Sequence, residues 1–261
     1  MADAVRLNRV VFGPESAAGA AAVPLVVAHG LFGSARNWGV IARRLAEDRR
    51  VISVDMRNHG ESPWTDRHDY AGMAADLAAV LEEEAGPGGV DLVGHSMGGK
   101  AAMVAALTAP GPLRRLVVAD IAPVAYGHSQ SHNIDAMRRV DLATVGSRTD
   151  ASAMLGLDDA GTAAFLLQSL DLKARRWRLN LDVLERDMDR IVGFPEVAGT
   201  FDGPVLFLSG ALSDYVRPGD RARIRALFPT AKFARIPEAG HWLHADRPRA
   251  VEAAVRTFLA M

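Results

Sequence analysis

The 261-residue chain contains no cysteine. Disulfide staples, thiolate nucleophiles and cysteine metal sites are therefore excluded. A cysteine-free chain suits a reducing compartment, and a cytoplasmic location is expected. Long apolar runs are missing too: nothing approaches the ~18 residues that a membrane-spanning helix needs. Met1 to Val11 mixes acidic and basic side chains and lacks the apolar stretch of a signal peptide. Nor does charge of one sign prevail. Lys and Arg number 30 against 31 Asp and Glu, a net charge of −1, and no basic cluster dominates a segment. A nucleic acid or an anionic membrane surface therefore has little electrostatic support as a partner.

Hydrophobic residues make up 49% and charged residues 23%, the balance of a folded globular protein rather than a disordered one. The length suits one large α/β domain or two small ones. Short apolar runs alternate with longer amphipathic stretches, the pattern of βαβ units and a mostly parallel sheet. Strands are expected at Leu7–Phe12, Leu25–Ala28, Val51–Asp55, Val90–Val93, Leu116–Asp120, Val205–Ser209 and Lys232–Ile236. Several are continuous in Val, Leu and Ile, as strands buried on both faces are. Helices are expected at Ala35–Glu47, Tyr70–Glu84, Met97–Thr108, Gly219–Leu227 and Pro248–Leu259, and the Ala-rich Pro14–Val23 reads as a loop.

The alternation stops between Pro123 and Phe201. No strand is expected there. Helical pieces are, at Ile134–Val140, Thr149–Leu155, Ala160–Leu170 and Arg176–Arg190. The organisation that follows is a core of residues 1–122 and 202–261 with residues 123–201 inserted as a helical cap between two strands. Phe165, Leu166 and Trp177 are its candidates for facing a pocket, although each is also an ordinary packing residue.

Gly94-His95-Ser96-Met97-Gly98 reads G-x-S-x-G, after the strand Val90–Val93 and before the helix Met97–Thr108. That context defines a nucleophile elbow, with Ser96 at the carboxyl edge of the sheet and at a helix N-terminus. The flanking glycines allow the tight turn. His95 reads as packing, and Lys100 as a helix residue with its amine in solvent or in a local pair. Acyl transfer also needs N–H donors for the developing oxyanion. His29-Gly30-Leu31-Phe32 follows the strand Leu25–Ala28 and offers the Leu31 amide; the second donor is the amide of Met97. His29 reads as a structural brace, and Phe32 as pocket wall or packing.

His241 stands in Ala239-Gly240-His241-Trp242-Leu243-His244, after the last strand and before the last helix. It is the candidate general base. His244 is its competitor, and Trp242 reads as packing or pocket wall. Two acids compete. The loop Ser209–Val216 is the usual place, but three residues after Gly210 stands Ser213, and Asp214 comes one residue late. Asp120 ends the strand Leu116–Asp120 beside the elbow strand, and a buried carboxylate there needs a partner. Asp120 is the preferred acid, Asp214 the alternative, and Ser213 a possible hydrogen-bonding support.

Four strings in order, His29–Ser34, Asp55–Pro63, Gly94–Lys100 and Asp120–Pro123, make the whole chain resemble the α/β-hydrolase superfamily and its YbfF-type serine esterases. The resemblance implies a helical cap over the site and hydrolysis of carboxylic esters or thioesters with no metal or organic cofactor. It also implies that the acid is Asp120, with Ser213 at the usual acid position. Amides extend the same chemistry. Other serine chemistry on this fold, by perhydrolases or C–C hydrolases, and a ligand-binding receptor that kept the hydrolase shell remain as rivals. Ser96 argues against the Asp-nucleophile dehalogenases and epoxide hydrolases. Acyl length, enantiopreference and oligomeric state leave no mark in the sequence.

Overall fold

A computed structural model describes residues 4–13 and 22–261. Most of the Ala-rich loop expected at Pro14–Val23 lies outside these residues. The chain begins with β1 (Arg9–Phe12), β2 (Ala22–Ala28), a 3-10 turn at Ala35–Trp38, α1 (Gly39–Leu45) and β3 (Arg49–Val54). It continues through α2 (Tyr70–Glu84), β4 (Val90–His95), α3 (Met97–Thr108) and β5 (Leu113–Ala119). A helix-rich stretch follows: α4 (Ser131–Arg138), α5 (Arg148–Leu155), α6 (Ala160–Leu167), the short strands β6 (Leu170–Asp171) and β7 (Arg176–Trp177), α7 (Leu181–Arg186) and α8 (Met188–Val192). The end is β8 (Val205–Gly210), α9 (Arg221–Leu227), β9 (Lys232–Ile236), α10 (Leu243–Asp246) and α11 (Pro248–Leu259).

The seven-stranded sheet runs β1-β3-β2-β4-β5-β8-β9. Only β1 is antiparallel to its neighbour. This is an α/β-hydrolase fold, a mostly parallel sheet between helices. Alternate residues of a strand face opposite sides. In β2, Val26 and Ala28 join the core on one face with Met73, Leu77 and Met103, while Leu25 and Val27 join Ile41, Leu45, Val251 and Val255 on the other. The helices match this division. α11 buries Val251, Val255, Phe258 and Leu259, one stripe at helical spacing, and begins on Pro248. The Asp69 side chain caps α2 by accepting from Gly72 N at 2.8 Å. Register then aligns the functional edge: Ala28 of β2 pairs with Gly94 of β4, and Gly94 with Val118 of β5. The residues that follow, His29, Ser96 and Asp120, thus emerge at one carboxyl edge.

The stretch between β5 and β8 departs from expectation in two places. No strand was expected there, yet β6 and β7 form an antiparallel ribbon. The Asp171 side chain accepts from Ala174 N at 2.9 Å and closes the turn, a local bond that competes with helix. The expected helices Ala160–Leu170 and Arg176–Arg190 are therefore cut back to α6 and to α7 with α8. Similarly, Ala35–Glu47 opens as a 3-10 turn before α1. The inserted stretch docks on the loop after β3. Gly60 N donates to Arg178 O at 2.8 Å and Asn180 N to Asn58 O at 3.0 Å.

Candidate active site

Ser96 sits between β4 and α3 with φ 51°, a left-handed conformation that a side chain rarely adopts. The flanking glycines make the turn possible. A Cβ on Gly98 would lie 2.7 Å from Ala28 O, and one on Gly94 would lie 2.8 Å from Gly99 Cα. As first residue of α3, Met97 carries an N–H with no intrahelical partner.

His241 lies in the loop between β9 and α10, with Nε2 3.0 Å from Ser96 Oγ and Nδ1 2.8 Å from Asp120 Oδ2. Asp120 follows β5 and is fully buried. Its other oxygen accepts from Gly210 N at 2.9 Å, and the Ser213 hydroxyl donates to Oδ2 beside the imidazole. Three donors thus surround a carboxylate that would be costly to bury alone. An imidazole that donates through Nδ1 leaves Nε2 to accept the Ser96 proton. Asp214 is exposed, and its backbone carbonyl accepts from Arg217 Nε at 3.1 Å. The one-residue offset turns Ser213 inward and Asp214 outward.

The His-Gly loop is fastened by two buried imidazoles. His29 accepts from Met56 N at 3.0 Å and donates to Gly30 O at 2.7 Å. His59 accepts from Phe32 N at 3.1 Å and donates to Arg57 O at 2.9 Å. Burial keeps both neutral, pushing His59 down to about 3 and lowering His29. The Asp55 carboxylate accepts from Ala35 N at 2.7 Å and Glu61 N at 2.9 Å, tying the loop to the Asp55–Pro63 string. Phe32 N and Gly33 N are engaged in this bracing, the latter with Gly30 O at 3.1 Å. Leu31 and Met97 both line the cavity in front of Ser96.

His95 does more than pack. Its Nε2 donates to the His241 carbonyl at 2.9 Å, which holds the His241 backbone. Burial drives His95 well below the usual imidazole range. His244 does not compete for Ser96: it is buried, stacked on Trp38 at 4.9 Å, and pushed down to about 3 by burial.

Lys100 overturns the expectation of an amine in solvent or in a local pair. The side chain is buried, and Nζ donates to Val192 O at 2.8 Å and Gly193 O at 2.5 Å, at the end of α8. It also lies 4.7 Å from the Tyr126 ring centroid. Burial lowers its amine to about 7, against 10.5 in an unfolded chain. Between these values the unfolded state binds more protons, so stability rises with pH. Wild type should therefore gain stability relative to Lys100→Met between pH ~7 and ~10, read from urea midpoints. A difference that stays constant over that range would contradict the lowering of the Lys100 amine by burial.

A cavity of about 420 Å³ opens onto Ser96 and His241. Phe32 and Trp242 line it, and so do Phe165, Leu166, Ile191 and Val192 from the inserted stretch. Trp242 meets Phe165 at 5.1 Å between ring centroids. Trp177 is not in the wall; it is buried in the core and donates to Met137 O at 3.1 Å. Sequence reasoning missed Tyr215, whose ring stacks on His241 at 3.9 Å, and the bracing role of His59. The sole signal for His59 was its place in the Asp55–Pro63 string. Among the described residues no cluster of His, Cys, Asp or Glu could hold a metal ion, and no helix is long and apolar enough to cross a membrane.

A family profile of the alpha/beta hydrolase fold matches residues 23–248. The chain is 41% identical over 255 residues to the sn-1-specific diacylglycerol lipase ABHD11 of Mus musculus, covering 93% of this chain and 83% of that protein. It is 40% identical over 243 residues to esterase YbfF of Escherichia coli, covering 90% of this chain and 92% of the relative. A solved marine microorganism esterase superposes with a TM-score of 0.89 at 34% identity, over 97% of this chain and 99% of that one.

Proposed function

The chain belongs to the alpha/beta hydrolase fold family, as a carboxylesterase-like hydrolase of the YbfF-type branch, and from that premise we propose that it cleaves carboxylic esters through an acyl-enzyme on Ser96. The observation that carries this reading is the unbroken line Ser96 Oγ, His241 and Asp120, with contacts of 3.0 and 2.8 Å, at the floor of a cavity. In this reading Ser96 Oγ attacks the ester carbonyl while its proton passes to His241 Nε2. Asp120 keeps the imidazole in the donating tautomer and steadies the imidazolium. The amides of Leu31 and Met97 receive the oxyanion. The imidazolium then protonates the leaving alcohol, and water repeats the sequence to release the acid.

Residues 123–201 act here as a cap over the core formed by residues 1–122 and 202–261. The support is that Phe165, Leu166, Ile191 and Val192 bring apolar surface to the cavity that faces Ser96. An apolar wall opposite the nucleophile favours the acyl chain over water. The substrate is then a small-molecule ester, handled with the protein's own side chains alone and in the cytoplasm.

Fluorophosphonate labelling combined with p-nitrophenyl esters and acyl-CoA thioesters of graded length tests this reading. The expected result is a single label on Ser96 together with multiple-turnover ester hydrolysis. Fast labelling with negligible turnover on every substrate would point to a ligand-binding receptor, and no labelling would overturn the serine mechanism.

A further inference from the structure

Tyr215 lies in the loop after β8, two residues past the Ser213 that touches Asp120. Its ring stacks on the His241 imidazole, with centroids 3.9 Å apart and planes 23° from parallel. The contact is built from several sides. Tyr126 donates its hydroxyl to Tyr215 O at 2.7 Å and accepts from Ala122 N at 2.9 Å. The Tyr215 amide donates to Ser213 Oγ at 3.3 Å, and the phenol pairs with His128 Nε2 at 2.8 Å. Tyr126 is held in turn: its amide donates to Val192 O at 3.0 Å, and its ring lies under Lys100 Nζ. The ring is thus fixed through backbone as well as side-chain bonds, whereas a casual neighbour would rest on packing alone.

A cation above an aromatic face is attracted by the ring quadrupole, and more strongly where water is excluded. The reaction creates a cation at that place. As the bond from Ser96 Oγ to the acyl carbon forms, the carbonyl electron pair moves to oxygen and the serine proton moves to Nε2. The neutral imidazole becomes imidazolium. Asp120 is the anion on Nδ1, and burial lowers His95 and His244; His128, beside the phenol, is lowered by partial desolvation and by the nearby His241 and Lys100. Burial also raises the Tyr215 phenol, so the stacked face stays uncharged.

We propose that Tyr215 is a further catalytic residue, whose ring face stabilises the His241 imidazolium in the transition state. The proposal rests on the serine-hydrolase reading above. Because the mechanism forms the imidazolium after substrate has bound, Tyr215 should act on kcat and leave KM nearly unchanged.

The test compares Tyr215→Phe and Tyr215→Leu in the full chain, with wild-type fluorophosphonate labelling alongside. Phe keeps the π face and loses the bond to His128; Leu keeps apolar cover and loses the face. Tyr215→Phe should retain kcat within about twofold. Tyr215→Leu should lose about three- to tenfold in kcat, with KM within twofold. Thermal midpoints and the rate of labelling are measured on each variant. If Leu unfolds the protein, Phe against Met at the same position repeats the comparison. Equal kcat for Phe and Leu, or a loss confined to KM, would overturn the role of Tyr215 while leaving the serine reading intact. An unlabelled wild type would overturn both.

Discussion

Ser96→Ala should lower kcat by a factor on the order of 10⁶, the loss expected when the nucleophile of a serine hydrolase is removed. The protein should remain folded. Ser96 contributes little to the core, and alanine removes one oxygen from the cavity floor. Its left-handed backbone is held by the elbow, where Ser96 N donates to Ala119 O at 3.0 Å and Lys100 N donates to Ser96 O at 3.0 Å. Neither bond involves the side chain. Circular dichroism and thermal melting should therefore match wild type while p-nitrophenyl ester turnover disappears and fluorophosphonate no longer labels. A residual rate from the amides of Leu31 and Met97 and from substrate binding would still exceed that of water, by ~10³ or more. Substantial turnover by a purified, folded Ser96→Ala protein would sink the assignment of the nucleophile.

Much of this site could be read before the structure, and the reasons are local. The buried strands are nearly continuous in Val, Leu and Ile, so β4 and β5 announced themselves. The elbow has a fixed spacing because two glycines must meet neighbouring backbone, at Ala28 and Gly99. The chain order of Ser96 and His241 follows from the sheet's winding. What stayed hidden depends on long-range contact. Lys100 sits in a helix that is buried on all sides, and a lysine gives no local hint that its amine meets carbonyls 92 and 93 residues away. The β6–β7 ribbon has strands of two residues each, too short to show a period of two. Tyr215 lies in the loop after β8, but its place over His241 depends on hydrogen bonds to Tyr126 and His128, 89 and 87 residues away. Trp177 could be read as wall or core alike, since an aromatic in an amphipathic stretch serves either, and the structure places it in the core.

Asp120→Asn is the second large effect, and it separates the two acids that spacing left open. In the proposed mechanism the carboxylate orients His241 through Nδ1 and stabilises the charge that the imidazole acquires. Asparagine keeps the size but removes the charge. Its amide can present N–H to Nδ1 and so favour the tautomer that carries its proton on Nε2, where it cannot accept from Ser96. A loss in kcat of about 10⁴ is expected, with a much smaller change in KM. Stability has to be followed in the same samples, because Asp120 also accepts from Gly210 N at 2.9 Å and joins β5 to the β8 loop. A moderate fall in the melting midpoint is compatible with this role, since kcat is measured on the fraction that remains folded. Asp214→Asn should stay close to wild type, its side chain being exposed while Asp120 holds the contact to His241. Ser213→Ala should fall between the two, because its hydroxyl is one of three donors to the Asp120 carboxylate. The order of losses, Asp120 over Ser213 over Asp214, is the measured quantity. If Asp214→Asn cost more than Asp120→Asn, the charge that serves His241 would have to come from the β8 loop, and Asp120 would be left as a structural clamp between two strands.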